Sequence, residues 1–232
     1  MAKTALVLAA AGRGTRMGTA ESKQYLHIGD KPIIVHTLET FATIDAIDEI
    51  VIVVHVDDMA KCRQLVEQAN FAKPIRFVEG LGERQDSVFA GLRALSSDIE
   101  WVLVHDAVRP FVQPKHILAC LAEAQTSDAA ILAVPAKDTI KVVDAAGHVV
   151  STPDRQSLWL VQTPQAFRVS RLIQAHEQAE ATGTRATDDA MVAELAGMTV
   201  SVVQGDYTNI KITTPEDLDW AALLLKRKES LS

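Results

Sequence analysis

Residues 4–18 read T-A-L-V-L-A-A-A-G-R-G-T-R-M-G, and Lys23-Gln-Tyr25 follows close behind. The first seven residues make an apolar run of strand length without alternation, the pattern of a strand buried on both faces. The glycine-rich stretch after it allows positive φ and close approach of backbone to a ligand. Arg13, Arg16 and Lys23 add positive charge around that stretch. Cationic side chains and backbone N–H groups together suit phosphate oxygens. A buried strand that opens into such a loop predicts an α/β protein with an anionic ligand.

Two familiar phosphate loops fit poorly. The dinucleotide fingerprint is G-x-G-x-x-G. Here the glycines are Gly12, Gly14 and Gly18, so the third comes one residue late. The acidic residue that should end a second strand about 20 positions on is missing, because the next apolar run ends only at Asp57 and Asp58. The P-loop ending Gly-Lys-Ser/Thr does not occur in the loop. An NAD-binding oxidoreductase is therefore disfavoured.

Working outward, apolar runs at Ala5–Ala10, Ile50–Val56, Ile75–Val78, Trp101–His105 and Ala129–Val134 alternate with helical patterns at Pro32–Phe41, Met59–Asn70, Ser87–Leu95 and Pro114–Gln125. Such alternation predicts a doubly wound, mostly parallel sheet. The rhythm changes after Pro135. Lys137–Val143 and His148–Ser151 are short, with Asp144-Ala-Ala-Gly147 between them, which reads as a hairpin or protruding β-arm over about 136–160. A lone ribbon cannot bury apolar residues such as Trp159, so either a partner subunit or the protein's own sheet has to cover them. Helices at Val169–Ala181 and Thr187–Leu195, a strand at Thr199–Val203 and a last helix opened by Thr214-Pro-Glu-Asp complete the chain. One domain over 1–232 is expected.

The 232 residues are 48% apolar and carry a net charge of −7. That supports a packed core and argues against general nucleic-acid binding. Cys62 and Cys120 lack metal-ligand spacing and read as reduced thiols. Neither a signal peptide nor a membrane-spanning run is present, so a cytoplasmic protein is expected.

Further clusters carry chemistry. Gly80-Leu-Gly-Glu-Arg-Gln-Asp-Ser87 joins a strand to a helix, and Ser87 either caps that helix or meets a ligand. His105-Asp-Ala-Val-Arg-Pro110 ends an apolar strand, where α/β proteins gather ligands. Asp106 there suits Mg²⁺ or a ribose, while Arg109 either faces a ligand or pairs with Asp106. Thr139 and Arg155 on the arm suit phosphate or polyol. Lys211, in Asn209-Ile-Lys, suits phosphate or merely snorkels to solvent.

The stretch Ala9–Tyr25 resembles the nucleotidyltransferase signature loop. With D-T-I-K at 138–141, D-R at 154–155, T-P-Q-A-F at 163–167, T-D-D-A at 187–190 and N-I-K-I-T-T-P-E-D-L at 209–218, nearly the whole chain resembles the 2-C-methyl-D-erythritol 4-phosphate cytidylyltransferase family. The resemblance implies CTP and methylerythritol phosphate as substrates, Mg²⁺ as cofactor, and a homodimer with exchanged β-arms. It implies transition-state stabilisation by Arg16 and Lys23. Ala10, Ala11, Gly12, Gly82, Ser87 and Asp106 would bind CTP. Arg109, Thr139, Arg155, Thr187 and Lys211 would bind the polyol phosphate, with Asp106 the candidate metal ligand. Pro153 stands where valine is common, and Gly80-Leu-Gly-Glu83 departs from the usual Gly-Gly-x-Glu. Bifunctional members carry a second, cyclising domain; the expectation here is the transferase alone. A ribitol-phosphate cytidylyltransferase and a noncatalytic nucleotide-binding dimer are the alternatives.

Overall fold

The computed structural model describes residues 2–13 and 21–230. The early elements are β1 (Lys3–Ala10), the hairpin β2 (His27–Ile28) and β3 (Lys31–Pro32), α1 (Ile33–Ala42), β4 (Glu49–Val54), α2 (Met59–Ala69), β5 (Ile75–Glu79), α3 (Arg84–Arg93) and β6 (Ile99–Asp106). They are followed by α4 (Pro114–Ser127), β7 (Ala129–Pro135), β8 (Val142–Val143), β9 (Val149–Ser151), β10 (Trp159–Arg168), α5 (Val169–Thr182), α6 (Asp189–Leu195), β11 (Ser201–Gln204) and α7 (Pro215–Glu229).

The main sheet has seven strands in the order β11-β7-β10-β6-β1-β4-β5. Its pairings are parallel except the two made by β10. The expected mostly parallel α/β sheet is therefore present. Alternate residues of each strand enter opposite layers, as a pleated strand requires. Leu6 and Leu8, with Ile50, Ile52 and Leu103, pack beneath Leu38 and Phe41 of α1, Val66 of α2 and Ile117 of α4. Val7, Val51, Val53 and Val104 pack against Val88 and Leu92 of α3 and Leu172 of α5. Leu6, Val7 and Leu8 are completely buried. Burial of each such side chain contributes about 1.5–3 kcal/mol, enough to exceed the roughly 1–2 kcal/mol that ordering its backbone costs. At Gly91 of α3 an added Cβ would come within 2.7 Å of Val53 and 2.8 Å of Val7, so the helix lies directly on the sheet.

From β1 the chain passes through α1 to β4 on one side, while β6 flanks β1 on the other. The connections leaving β1 and β6 diverge, and a crevice opens at their carboxyl ends. Ala9 and Asp106 are register partners at that edge.

One central element was not expected. Residues 159–168 form β10, which is inserted between β6 and β7. Proline inside a strand argues against a central position, and Pro164 sits in the middle of this one. The ladder to β7 shifts register between Val161 and Gln165, which accommodates the proline. The expected helix start at Pro32 also moves by one residue: Pro32 is the N-cap of α1 and pairs in the small hairpin.

The arm is the short ribbon β8–β9, and Gly147 at its turn has φ +84°, a left-handed conformation that favours glycine. Val142, Val143, Val149 and Val150 on it are 45–65% exposed, so the chain's own sheet does not cover them. Helix α7 begins as its sequence suggested, with Pro215 in the first turn and Asp217 accepting from the backbone N–H groups of Thr213 and Thr214. No helix among the described residues is long and apolar enough to cross a membrane.

Candidate active site

Two adjoining clefts occupy the carboxyl edge of β1 and β6. The first, about 150 Å³, runs between the loop after β1 and the β5–α3 connection. Ala10, Ala11, Gly12, Lys23, Gly82, Ser87, Asp106 and Lys211 line it. The second, about 490 Å³, lies between β10 and the start of α6, and Asp106, Arg109, Thr187 and Lys211 line it. Arg84, Asp106 and Lys211 wall both clefts and form the seam between them.

Local packing explains why these side chains face the space. Lys23 lies in a single turn of 3-10 helix over Lys23–Tyr25. Its neighbours Gln24 and Tyr25 are buried, and Gln24 Nε2 donates to the carbonyl of Ala10 at 2.7 Å. Those anchors hold the turn beside the end of β1 with Lys23 on the cleft wall. Gly80 permits the opposite wall to approach. Its amide donates to Val54 at 2.7 Å, and a Cβ there would meet that of Ala11 at 2.3 Å. Ser87 does not cap α3, whose N-cap is Glu83; its Oγ donates to the Leu81 carbonyl at 2.8 Å and shapes the connection.

Lys211 is pinned from both sides. Ile212 is fully buried against Val108 and Ile33, and its amide donates to the Val108 carbonyl at 3.0 Å. Asn209 donates to the Thr163 carbonyl at 2.9 Å and accepts at its own carbonyl from Arg109 Nη1 at 2.8 Å. Lys211 Nζ then stands 2.9 Å from Asp106 Oδ2.

Asp106 is the electrostatic centre. Besides Lys211, it faces Arg84 Nε at 3.3 Å and Arg109 Nε at 3.4 Å. Burial works to raise its pKa, but Arg84, Lys211 and Arg109 hold it well below the ordinary carboxylate range. Behind it His105 is fully buried, and burial lowers its pKa to about 3. The neutral ring sits in a chain of hydrogen bonds. Asp106 N–H donates to Thr163 Oγ1 at 3.1 Å, which lies 2.9 Å from His105 Nδ1, while His105 Nε2 lies 3.1 Å from the Arg109 carbonyl. The hydroxyl thus donates to Nδ1 and Nε2–H donates onward, which fixes the tautomer. Among the described residues no three His, Cys, Asp or Glu side chains gather as a metal cage.

The remaining expected residues lie elsewhere. Thr139 and Arg155 are exposed on the arm, outside both clefts, and Arg155 Nη1 donates to the Lys137 carbonyl at 2.9 Å. Arg16 lies outside the described residues. Arg13, one of the loop cations, pairs with Asp57 and donates to His55 Nε2 at 3.2 Å. Arg84 was overlooked by sequence reasoning although it stands inside the quoted G-L-G-E-R segment; only its place at the seam reveals it.

Comparison with known proteins agrees with this geometry. Residues 4–227 match the family model for 2-C-methyl-D-erythritol 4-phosphate cytidylyltransferase. A protein of that name from Geobacter metallireducens is 47% identical over 226 residues, 96% of this chain and 97% of that one. The crystal structure of 4-diphosphocytidyl-2C-methyl-D-erythritol synthase from Anaerococcus prevotii superposes with a TM-score of 0.87 at 34% identity, over 97% of this chain and 99% of that one. The 2-C-methyl-D-erythritol 4-phosphate cytidylyltransferase from Thermus thermophilus gives a TM-score of 0.76 at 32% identity, over 95% and 98%. With a buried strand, a cationic crevice and similarity over nearly the full length all in agreement, the chain belongs to the 2-C-methyl-D-erythritol 4-phosphate cytidylyltransferase family.

Proposed function

We propose that the two clefts hold the two substrates of one cytidylyl transfer: CTP in the first and 2-C-methyl-D-erythritol 4-phosphate in the second. The products are 4-diphosphocytidyl-2-C-methyl-D-erythritol and pyrophosphate, a step of the non-mevalonate isoprenoid pathway. The carrying observation is that Arg84, Asp106 and Lys211 belong to both clefts, so cations are concentrated where two phosphates must meet.

The nucleophile is a phosphate monoester with a second pKa of about 6, largely dianionic near neutrality. Its oxygen bonds to the α-phosphorus of CTP as the bond to the bridging oxygen breaks and pyrophosphate departs. No general base has to remove a proton. The barrier is repulsion between anions and the charge that grows on the leaving group, so catalysis consists of positioning and electrostatic stabilisation. Lys23 and Arg16 neutralise the α-phosphate and leaving group. Lys211, Arg109 and Thr187 hold the polyol phosphate. Ala10, Ala11, Gly12, Gly82 and Ser87 offer close-packed backbone and a hydroxyl to the nucleoside. Mg²⁺, when bound, neutralises triphosphate charge. One carboxylate beside phosphate oxygens is a usual Mg²⁺ environment; Asp106 would supply it, giving up a contact to Lys211, Arg109 or Arg84 when the metal binds.

Thr139 and Arg155 reach a site in the dimer, where each arm crosses to the other subunit's second cleft. The exposed valines of β8 and β9 favour this reading, since about 25 cal/mol is gained per Å² of apolar surface covered. Pyrophosphate release, measured for each nucleotide with methylerythritol phosphate and with ribitol 5-phosphate, tests the proposal. CTP with methylerythritol phosphate should be fastest; preference for ribitol phosphate, or CTP binding without release, overturns it.

A further inference from the structure

A second carboxylate stands behind the seam. Asp189, the first residue of α6, is completely buried, and its Oδ2 lies 2.8 Å from Arg84 Nη1. Its Oδ1 lies 3.5 Å from Nε2 of His176, which is itself buried and stacked on Phe89 with ring centroids 5.2 Å apart. Arg84 therefore bridges Asp189 and Asp106, using Nη1 for one and Nε for the other. Two of its three nitrogens are thereby committed to carboxylates on opposite sides of the seam. The side chain is 28% exposed and borders both clefts.

A buried ion pair is a poor stabiliser, because desolvation offsets much of its Coulomb attraction. It is a good way to fix a direction. A guanidinium pinned through two nitrogens is a rigid planar donor whose third nitrogen points one way. Burial opposes the charge on Asp189, but Arg84 and His176 hold its pKa below the ordinary carboxylate value, so it remains an anion to pin against. Donors aimed in advance at developing charge are the most effective kind in phosphoryl transfer.

We propose that Arg84 is a further substrate-contacting residue, donating to a phosphate oxygen at the seam, and that Asp189 is the positioning residue that aims it. This rests on the transfer reaction proposed above. The test is steady-state pyrophosphate release by Asp189→Asn, Arg84→Lys and the double variant, with melting temperature measured in parallel. Asp189→Asn should lower kcat about 10-fold with little change in the KM for CTP, and Arg84→Lys should lower it by about 10-fold or more, approaching the roughly 10²-fold that loss of a donor costs. The double variant should be no slower than Arg84→Lys alone, because aiming an absent fork is worthless. Turnover of Asp189→Asn within about twofold of wild type, or multiplying effects in the double variant, overturns the inference on the scale of ordinary surface changes. If Asp189→Asn does not fold, Arg84→Lys decides alone: unchanged kcat overturns the assignment. Wild-type protein that releases no pyrophosphate overturns the parent reaction and this inference with it; active wild type with unaffected variants overturns only the latter.

Discussion

Lys211 Nζ and Asp106 Oδ2 stand 2.9 Å apart, although one follows β11 and the other ends β6. A lysine held in this way cannot wander to solvent, and arriving phosphates meet it already placed. Asp106 also offsets Arg84 and Arg109, so three cations can share one crevice before any substrate arrives.

Asp106→Asn should expose that repulsion. Breaking a buried charge cluster by removing one partner costs about 3–5 kcal/mol. The melting temperature should fall accordingly. An unchanged melting temperature would show that Asp106 is not the counter-ion.

Lys23→Ala should lower turnover by about 10²-fold or more, the scale for loss of one charge-stabilising donor. Gln24 and Tyr25 still anchor the turn, so the melting temperature should hardly move. Arg16→Ala should act in the same direction. Near-normal turnover in both variants would remove them from the site.

Arg155→Ala should weaken methylerythritol phosphate and leave CTP binding nearly intact. Mixed dimers of Arg155→Ala with Lys23→Ala should regain part of the activity, because each exchanged pair contains one site with neither lesion. Verified mixed dimers that stay inactive would count against crossing arms.

Gly80→Ala should deform the first cleft. Its new methyl would fall 2.3 Å from Ala11 Cβ, with the Val54 carbonyl at 3.4 Å, so the loop after β1 has to shift. Overpacking of this kind costs about 1–3 kcal/mol. Calorimetry with CTP should show weaker binding than wild type.

His105 gives the protein an acid-side slope. Burial holds its pKa at about 3 in the folded protein, against the ordinary 6.5, so between those values the unfolded chain binds a proton that the folded chain refuses. The neutral histidine's contribution is complete above pH 6.5 and is lost progressively as pH falls toward 3. At about 1.4 kcal/mol per pH unit, cooling of stability between pH 6.5 and 5 amounts to roughly 2 kcal/mol. His105→Gln should be less stable near neutrality yet show a shallower decline over that interval in metal-free buffer. Parallel curves for the two proteins would refute this origin of the slope.

Much of the fold was legible along the chain because it is written in short range. The apolar runs of β1, β4, β6 and β7 were each readable as two-face burial, and the proline and acids of α7 as a helix start. Ala10, Lys23, Asp106 and Lys211 stood out because each sits beside such an element in a distinctive segment, and the structure brings all four to one cleft. β10 was not, since Pro164 interrupts the local strand pattern and only neighbours on both sides supply its pairing.

Sequence alone determined which residues carry charge, which faces are apolar and where strands give way to glycine-rich loops, because these follow from side-chain chemistry and periodicity. Tertiary structure decided the rest. That Arg84 reaches Asp189 across 105 positions, that Lys211 meets Asp106, and that Arg155 stays outside both clefts of its own chain depend on strand order. Pairing between distant segments is set by how whole layers pack, and no local pattern encodes it.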